Sequence, residues 1–227
     1  MSADPGWSGL SADEFVAKLE GENHAALERL GDLSRAGEAP EALTVQRLLR
    51  VALKNEFEAS ELAAIWMAST PEFDIKMALA RQVGDEARHY RLIAERLTLL
   101  GVDAKGIDPR EGGYSPLFEY LKTVEGAAAR VAAGQFTREG IALVRNQCFI
   151  EFCESAGDPE TAALYSDTIQ PDEQHHHELG RALLTIYGGN SEAQNQARRA
   201  ARRTIELAEE IQEMARLKAG IMRAPGC

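Results

Sequence analysis

The chain has 227 residues, an apolar fraction of 44% and a formal net charge of -11, enough to bury one sizeable core but a poor generic match to nucleic acid or anionic lipid. Its three cysteines, Cys148, Cys153 and Cys227, make no disulfide framework, and no apolar run approaches the roughly 20 residues that span a bilayer. The opening "MSADPGWSG" lacks the basic and apolar parts of a signal peptide, so a soluble cytoplasmic protein with no membrane partner is expected.

Ala, Leu, Glu and Arg dominate and β-branched residues are sparse, a mix that favours helix. Ser11 and Glu14 stand in capping-box positions and open a helix over 11–35, which "AGEAPEA" ends. A second helix is predicted over 43–68. "STPEFD" makes the turn, with Pro71 placed to start a third helix that runs to Leu100. "GVDAKGIDPREGGYSP" is the longest loop. Further helices are predicted over 117–133 and 137–156. After the turn "GDPE", helix resumes over 161–187, with an interruption expected at Pro171. "GGNS" leads into a last helix over 192–221. No segment alternates with period two, so the fold class is all-α, in a single domain over 1–227.

Two stretches repeat one another. "PEFDIKMALARQVGDEARH" parallels "PETAALYSDTIQPDEQHH": each runs Pro-Glu, helix, then Asp-Glu-x-x-His. With Ile75 at zero and about 100° per residue, Glu86 falls at about 20° and His89 at about 320°, inside the apolar stripe. Glu173 and His176 share a face with Leu183 and Leu184 in the same way, and Gly180 one turn on is expected to leave space beside them. On the preceding helix Glu58 falls beside the stripe of Leu48, Val51, Ala52 and Leu62, whereas Glu56 and Glu61 fall at or beyond its edges. Glu58 and Glu86 also lie nearly equidistant from Pro71. An unpaired buried carboxylate costs several kcal/mol or takes up a proton, so inward acids and imidazoles need a common partner, and a pair of divalent cations meets that need. The bland alternative is that these are surface pairs near helix ends.

These residues resemble the ferritin-like di-iron carboxylate superfamily, in which two helices each give a Glu and two others each give Glu-x-x-His. The string "DEARH" is similar to the oxygenase branch. The resemblance implies a four-helix bundle over about 43–187, with accessory helices over about 11–35 and 192–221. It implies metal ligands Glu58, Glu86, His89, Glu173 and His176. It also implies a third-helix acid, for which Glu151 is preferred and Glu154 is the alternative; Asn146 stands at the spacing equivalent to Glu58. Asp85 and Asp172 match the acid that orients a metal-bound histidine. The implied cofactor is two iron ions, with manganese as the alternative.

The implied activity is that of a di-iron oxidoreductase, which activates dioxygen and oxidises or hydroxylates a small organic substrate. Its electrons come from an external reductase or donor, because no Rossmann glycine fingerprint or iron–sulfur cysteine set is present. The alternatives are a ferroxidase or iron-storage protein and a non-enzymatic helical interaction protein. Cys148, Cys153, Trp66, Phe57, Phe149 and Phe152 read as core. His175 and His177 read as surface, Arg88 as the partner of a nearby acid, and Gln147 and Cys148 as candidate pocket lining. The arginines at 198, 199, 202 and 203 read as a solvated face. The apolar stripe through Ile205, Ala208 and Ile211 offers a surface to the bundle or to a second copy in a homodimer.

Overall fold

The computed structural model describes Trp7 and residues 9–35, 43–219 and 224–226. Among these there is no strand, in keeping with the all-α reading. The α-helices are α1 (Ala12–Arg35), α2 (Val45–Ser69), α3 (Phe73–Leu99), α4 (Pro116–Lys122), α5 (Ala127–Val131), α6 (Glu139–Ser155), α7 (Pro159–Leu164), α8 (Gln170–Tyr187) and α9 (Ser191–Ala219). Cys227, and the end of the last predicted helix, lie outside the described residues.

Local chemistry sets several helix starts. Ser11 and Glu14 form the reciprocal capping box: Ser11 N–H donates to Glu14 Oε2 at 2.8 Å, and Glu14 N–H to Ser11 Oγ at 3.3 Å. Thr44, Ser115 and Asp158 cap α2, α4 and α7 by accepting from backbone N–H groups. Asp158 also holds Arg96 of α3, which pins the α7 end against that helix.

Two predicted breaks are absent. A π-helical segment, Ala132–Arg138, joins α5 to α6 without interruption, and Tyr165–Ile169 joins α7 to α8. Gly134 reads as a breaker but serves a contact: a Cβ there would lie 2.7 Å from the Trp66 ring. Pro171 lies two residues past the second π segment, in the first turn of α8, where the altered bonding pattern tolerates its missing N–H.

α2 and α3 pack as a hairpin. The continuous helices 127–155 and 159–187 form a second one, and α1 and α9 pack on its outer side. The apolar core has two main layers, beside a smaller cluster of Ala26, Leu30, Ile141, Ile205 and Ala208 under α1 and α9. One holds Leu62, Trp66, Ile75, Leu79, Phe136 and Leu183; the other holds Leu48, Leu53, Ile93, Leu97, Phe149 and Tyr165. Each long helix therefore carries apolar residues at both ends of its inward face and polar residues between them. On α3 the order is Ile75, Leu79, then Gln82, Glu86, His89, then Ile93, Leu97, all buried.

Gly180 does not open a space. A Cβ there would sit 2.7 Å from the Gln135 carbonyl carbon and 2.7 Å from the Phe136 nitrogen, because α8 rides directly on the π-segment backbone. Backbone cannot step aside as a side-chain tip can. Gly180→Ala is expected to destabilise the chain by about 2–3 kcal/mol. A thermal melt at the wild-type temperature would contradict this contact.

The described tail returns to the helices. Asn55 of α2 donates its Nδ2 to the Pro225 carbonyl at 2.8 Å, and Gly226 N–H donates to Asn146 Oδ1 of α6 at 2.9 Å. Among the described residues no helix is long and apolar enough to cross a membrane. The arginines of α9 are largely met by acids: Arg198 bonds Glu22 and stacks 4.1 Å over Trp7, Arg202 pairs with Glu206, and Arg203 with Glu206 and Glu210.

Candidate metal centre

Four helical segments deliver six chemistry-bearing residues between the two apolar layers. α2 gives Glu56, α3 gives Glu86 and His89, α6 gives Glu139, and α8 gives Glu173 and His176. None is more than 4% exposed. They fall into two groups, each with candidate ligand atoms within 4.8 Å of one another: Glu56, Glu86, His89 and Glu173; and Glu86, Glu139, Glu173 and His176. Glu86 and Glu173 belong to both.

The imidazoles point their Nδ1 atoms into this cluster. His89 Nδ1 lies 3.3 Å from Glu86, 3.5 Å from Glu56 and 3.7 Å from Glu173. His176 Nδ1 lies 3.6 Å from Glu173 and 3.9 Å from Glu86. Neither Nδ1 has a hydrogen-bond partner, and neither has Glu173 Oε2. On the far side of each ring a carboxylate fixes the tautomer. His89 Nε2 donates to Asp172 at 3.0 Å and His176 Nε2 donates to Asp85 at 3.1 Å. Each histidine thus bonds the Asp carried by the other's helix. Arg88 holds Asp172 and Arg81 holds Asp85 in turn. With Nε2–H committed to Asp, each Nδ1 is the ring atom turned inward, the one that a metal would take once any proton on it is displaced.

Burial and mutual repulsion leave the metal-free cluster partly protonated. Burial pushes Glu56 up to about 7, against the pull of His89. Burial, then the charges of Glu86 and Glu139, push Glu173 well above the carboxylate range. Burial acts the same way on Glu86, but His89, His176 and Arg138 outweigh it and hold that acid below its ordinary value. For His89 burial favours the neutral ring, yet Glu56 and Glu86 raise it to about 11. Burial also raises Asp172, but the bonds from His89 and Arg88 prevail and lower it.

Four carboxylates balance two divalent cations, and the oxygen and imidazole donors suit first-row metals. The orphaned Nδ1 atoms and the unpartnered Glu173 oxygen fit such ions: all three are buried polar atoms that a metal would satisfy. The buried Glu/His groups could therefore hold a metal.

Of the residues singled out from sequence, the structure brings together Glu86, His89, Glu173 and His176, with Asp85 and Asp172 behind them. Glu58 does not join them. It is buried, but its carboxylate accepts from Ser115 N–H at 2.8 Å and from Ser115 Oγ at 2.5 Å. Lys54, Glu58 and Glu61 form a polar stripe on α2 that secures the long loop: Lys54 donates to its carbonyls and Tyr114 OH bonds Glu61 at 2.8 Å. Glu56 takes the inward place, on the ladder Leu49, Ala52, Glu56, Ala59, Ala63. Glu151 and Glu154 are exposed, Glu151 accepting from Gln147, so neither is the third-helix acid. That place belongs to Glu139, the first residue after the π segment. Gln147 lines a surface groove with His24, Leu27 and Leu143 between α1 and α6.

His177, expected at the surface, stacks on Phe136 and donates to its carbonyl at 2.7 Å, a carbonyl within the π segment. Phe57 is half-buried, whereas Trp66, Phe149 and Phe152 are core. Cys148 and Cys153 are buried and free, and burial pushes the Cys153 thiol up to about 12, which leaves it unreactive.

Asp85→Asn should weaken binding of Co²⁺ about 10–100-fold without changing the stoichiometry at saturating metal. Equilibrium dialysis checks this, and an unchanged affinity would remove Asp85 from the support of His176.

The molecule is thus an all-helical protein with a buried Glu/His group able to hold a metal. No protein-family model, curated protein or solved structure matches the chain.

Proposed function

We propose that this is a ferritin-like di-iron oxidoreductase, one that activates dioxygen to oxidise or hydroxylate an organic substrate with electrons from an external donor. One observation carries the reading: two orphaned imidazole nitrogens and four acids converge in a buried layer, with two of the acids common to both groups. Bound there, a pair of iron ions would supply the electron transfer to dioxygen. Glu86 and Glu173 would be shared between the ions, Glu56 and His89 would complete one position, and Glu139 and His176 the other. Asp85 and Asp172 keep the rings oriented. The two apolar layers keep bulk water from the centre, which strengthens every charge interaction in it.

A small cavity lined by Arg138, the partner of Glu139, favours a second reading. Glu58, Leu62, Ser115, Phe118 and Arg138 line about 10 Å³ of it, room for about one water. A space of that size admits dioxygen and Fe²⁺ more readily than an organic molecule, as in a ferroxidase.

Anaerobic loading with Fe²⁺, followed by Mössbauer spectroscopy before and after oxygen exposure, tests the proposal. Two iron ions per chain, coupled after oxidation and cycled by an added reductant, support the oxidoreductase reading. A large hollow assembly that mineralises iron would replace it with the ferroxidase reading. Failure to hold iron would remove both.

A further inference from the structure

The cluster is built on a near two-fold plan. His89 bonds Asp172, which Arg88 holds; His176 bonds Asp85, which Arg81 holds. Glu86 and Glu173 are common to both groups. The plan breaks at the one acid that each group has to itself. Glu139 Oε1 accepts from Gln82 Nε2 at 2.6 Å and from Arg138 Nη1 at 3.0 Å. Arg138 is 7% exposed and Glu139 1%. The ion-pair neighbour of Glu56, by contrast, is His89 itself, at 3.5 Å.

This difference acts on a cation directly. A guanidinium does not lose its proton in a protein, so Arg138 is a fixed positive charge against the His176 group whatever else is bound. Burial leaves that charge poorly screened. It also shares Glu139 with any incoming ion, because Oε1 already accepts two bonds and Oε2 is the oxygen left to donate. A cation at Glu139 and His176 meets both effects, whereas one at Glu56 and His89 meets an acid whose ion-pair neighbour is His89 itself, and lies on the other side of the shared carboxylates.

We propose that Arg138 is a positioning residue that makes the two metal positions unequal. The first divalent cation enters at Glu56 and His89, and the position at Glu139 and His176 fills second, at roughly tenfold or more weaker affinity. The inference rests on the metal-centre reading above and adds an order of filling to it. Because the weaker position can stay open while the stronger one is filled, the chain can also hold two different metals, the tighter-binding one at His89.

The test is an anaerobic titration of the metal-free full-length chain with Co²⁺, followed by ligand-field absorption and calorimetry. The wild type should bind in two resolved steps. Arg138→Met should bring the two affinities within about threefold of each other, and Arg138→Lys, which keeps the charge, should restore two steps. Two histidine variants test the order without touching Arg138. His176→Ala should keep the first step at wild-type affinity, and His89→Ala should lose it. Two equal steps in the wild type, or a first step that survives His89→Ala, would overturn the order while leaving the metal centre standing. Absence of Co²⁺ binding would overturn the centre itself, and the order with it.

Discussion

Glu173→Gln is expected to abolish dinuclear metal binding while leaving the metal-free chain as stable as the wild type or more so. Glu173 is 2% exposed, and burial with the charges of Glu86 and Glu139 raises its carboxyl well above the carboxylate range, toward the protonated form. Glutamine copies the shape and neutrality of that form, so the metal-free fold loses no charge interaction. A bridging position is different. A carboxamide brings no negative charge and only one good donor oxygen, so affinity for a second ion should fall by more than about 100-fold. Metal analysis after loading should give at most one ion per chain, with a melting temperature within about 4 °C of wild type or above it. Two ions retained in Glu173→Gln would contradict the shared position assigned to this acid.

Metal affinity should rise steeply with pH across the neutral range. Glu56, raised to about 7, Glu173, raised well above the carboxylate range, and His89, raised to about 11, all bind protons more readily than in a free peptide. Metal and proton compete for the same atoms, so every proton displaced makes binding weaker as pH falls. Displacement of two protons corresponds to about 100-fold in affinity per pH unit, since each proton contributes tenfold. A titration in weak buffer with a pH indicator should register more than one proton released per first ion bound. An affinity independent of pH between 6 and 8, taken as roughly the range around Glu56's own titration, would show that the cluster is empty of exchangeable protons.

The two Glu-x-x-His pairs were legible in the sequence because each sits on a helix whose apolar face has a clean 3.6-residue period, and a residue three places on shares that face. The remaining two acids were not, for different reasons. On α2 the buried face is broad, so residues on both of its edges are enclosed, and Glu58 and Glu56 differ only in what encloses them. A loop that arrives from Ser115 satisfies one, and no local pattern announces a partner so distant in sequence. The spacing Lys54, Glu58, Glu61 was the available hint. On the third helix "AAGQFTREG" reads as containing a break, which puts Glu139 near a helix start; the π segment instead carries the helix through it and brings Glu139 into the cluster. The equal distances of the acids from Pro71 in the first hairpin also do not carry over, since Glu139 lies further from Pro159 than Glu173 does. The all-helical class and the capping at Ser11 followed from composition and local chemistry, which need no knowledge of tertiary neighbours.

The short return of the tail has a mechanical meaning. Asn55 and Asn146 stand on helices from opposite hairpins, and the peptide at Pro225–Gly226 ties one to the other. Glu56 adjoins Asn55, and Glu139 lies two turns before Asn146 on the same buried face. A stitch across those helices therefore limits how far the outermost acids of the cluster can drift apart, so the elasticity of the cage is set partly by residues that contribute nothing to its chemistry.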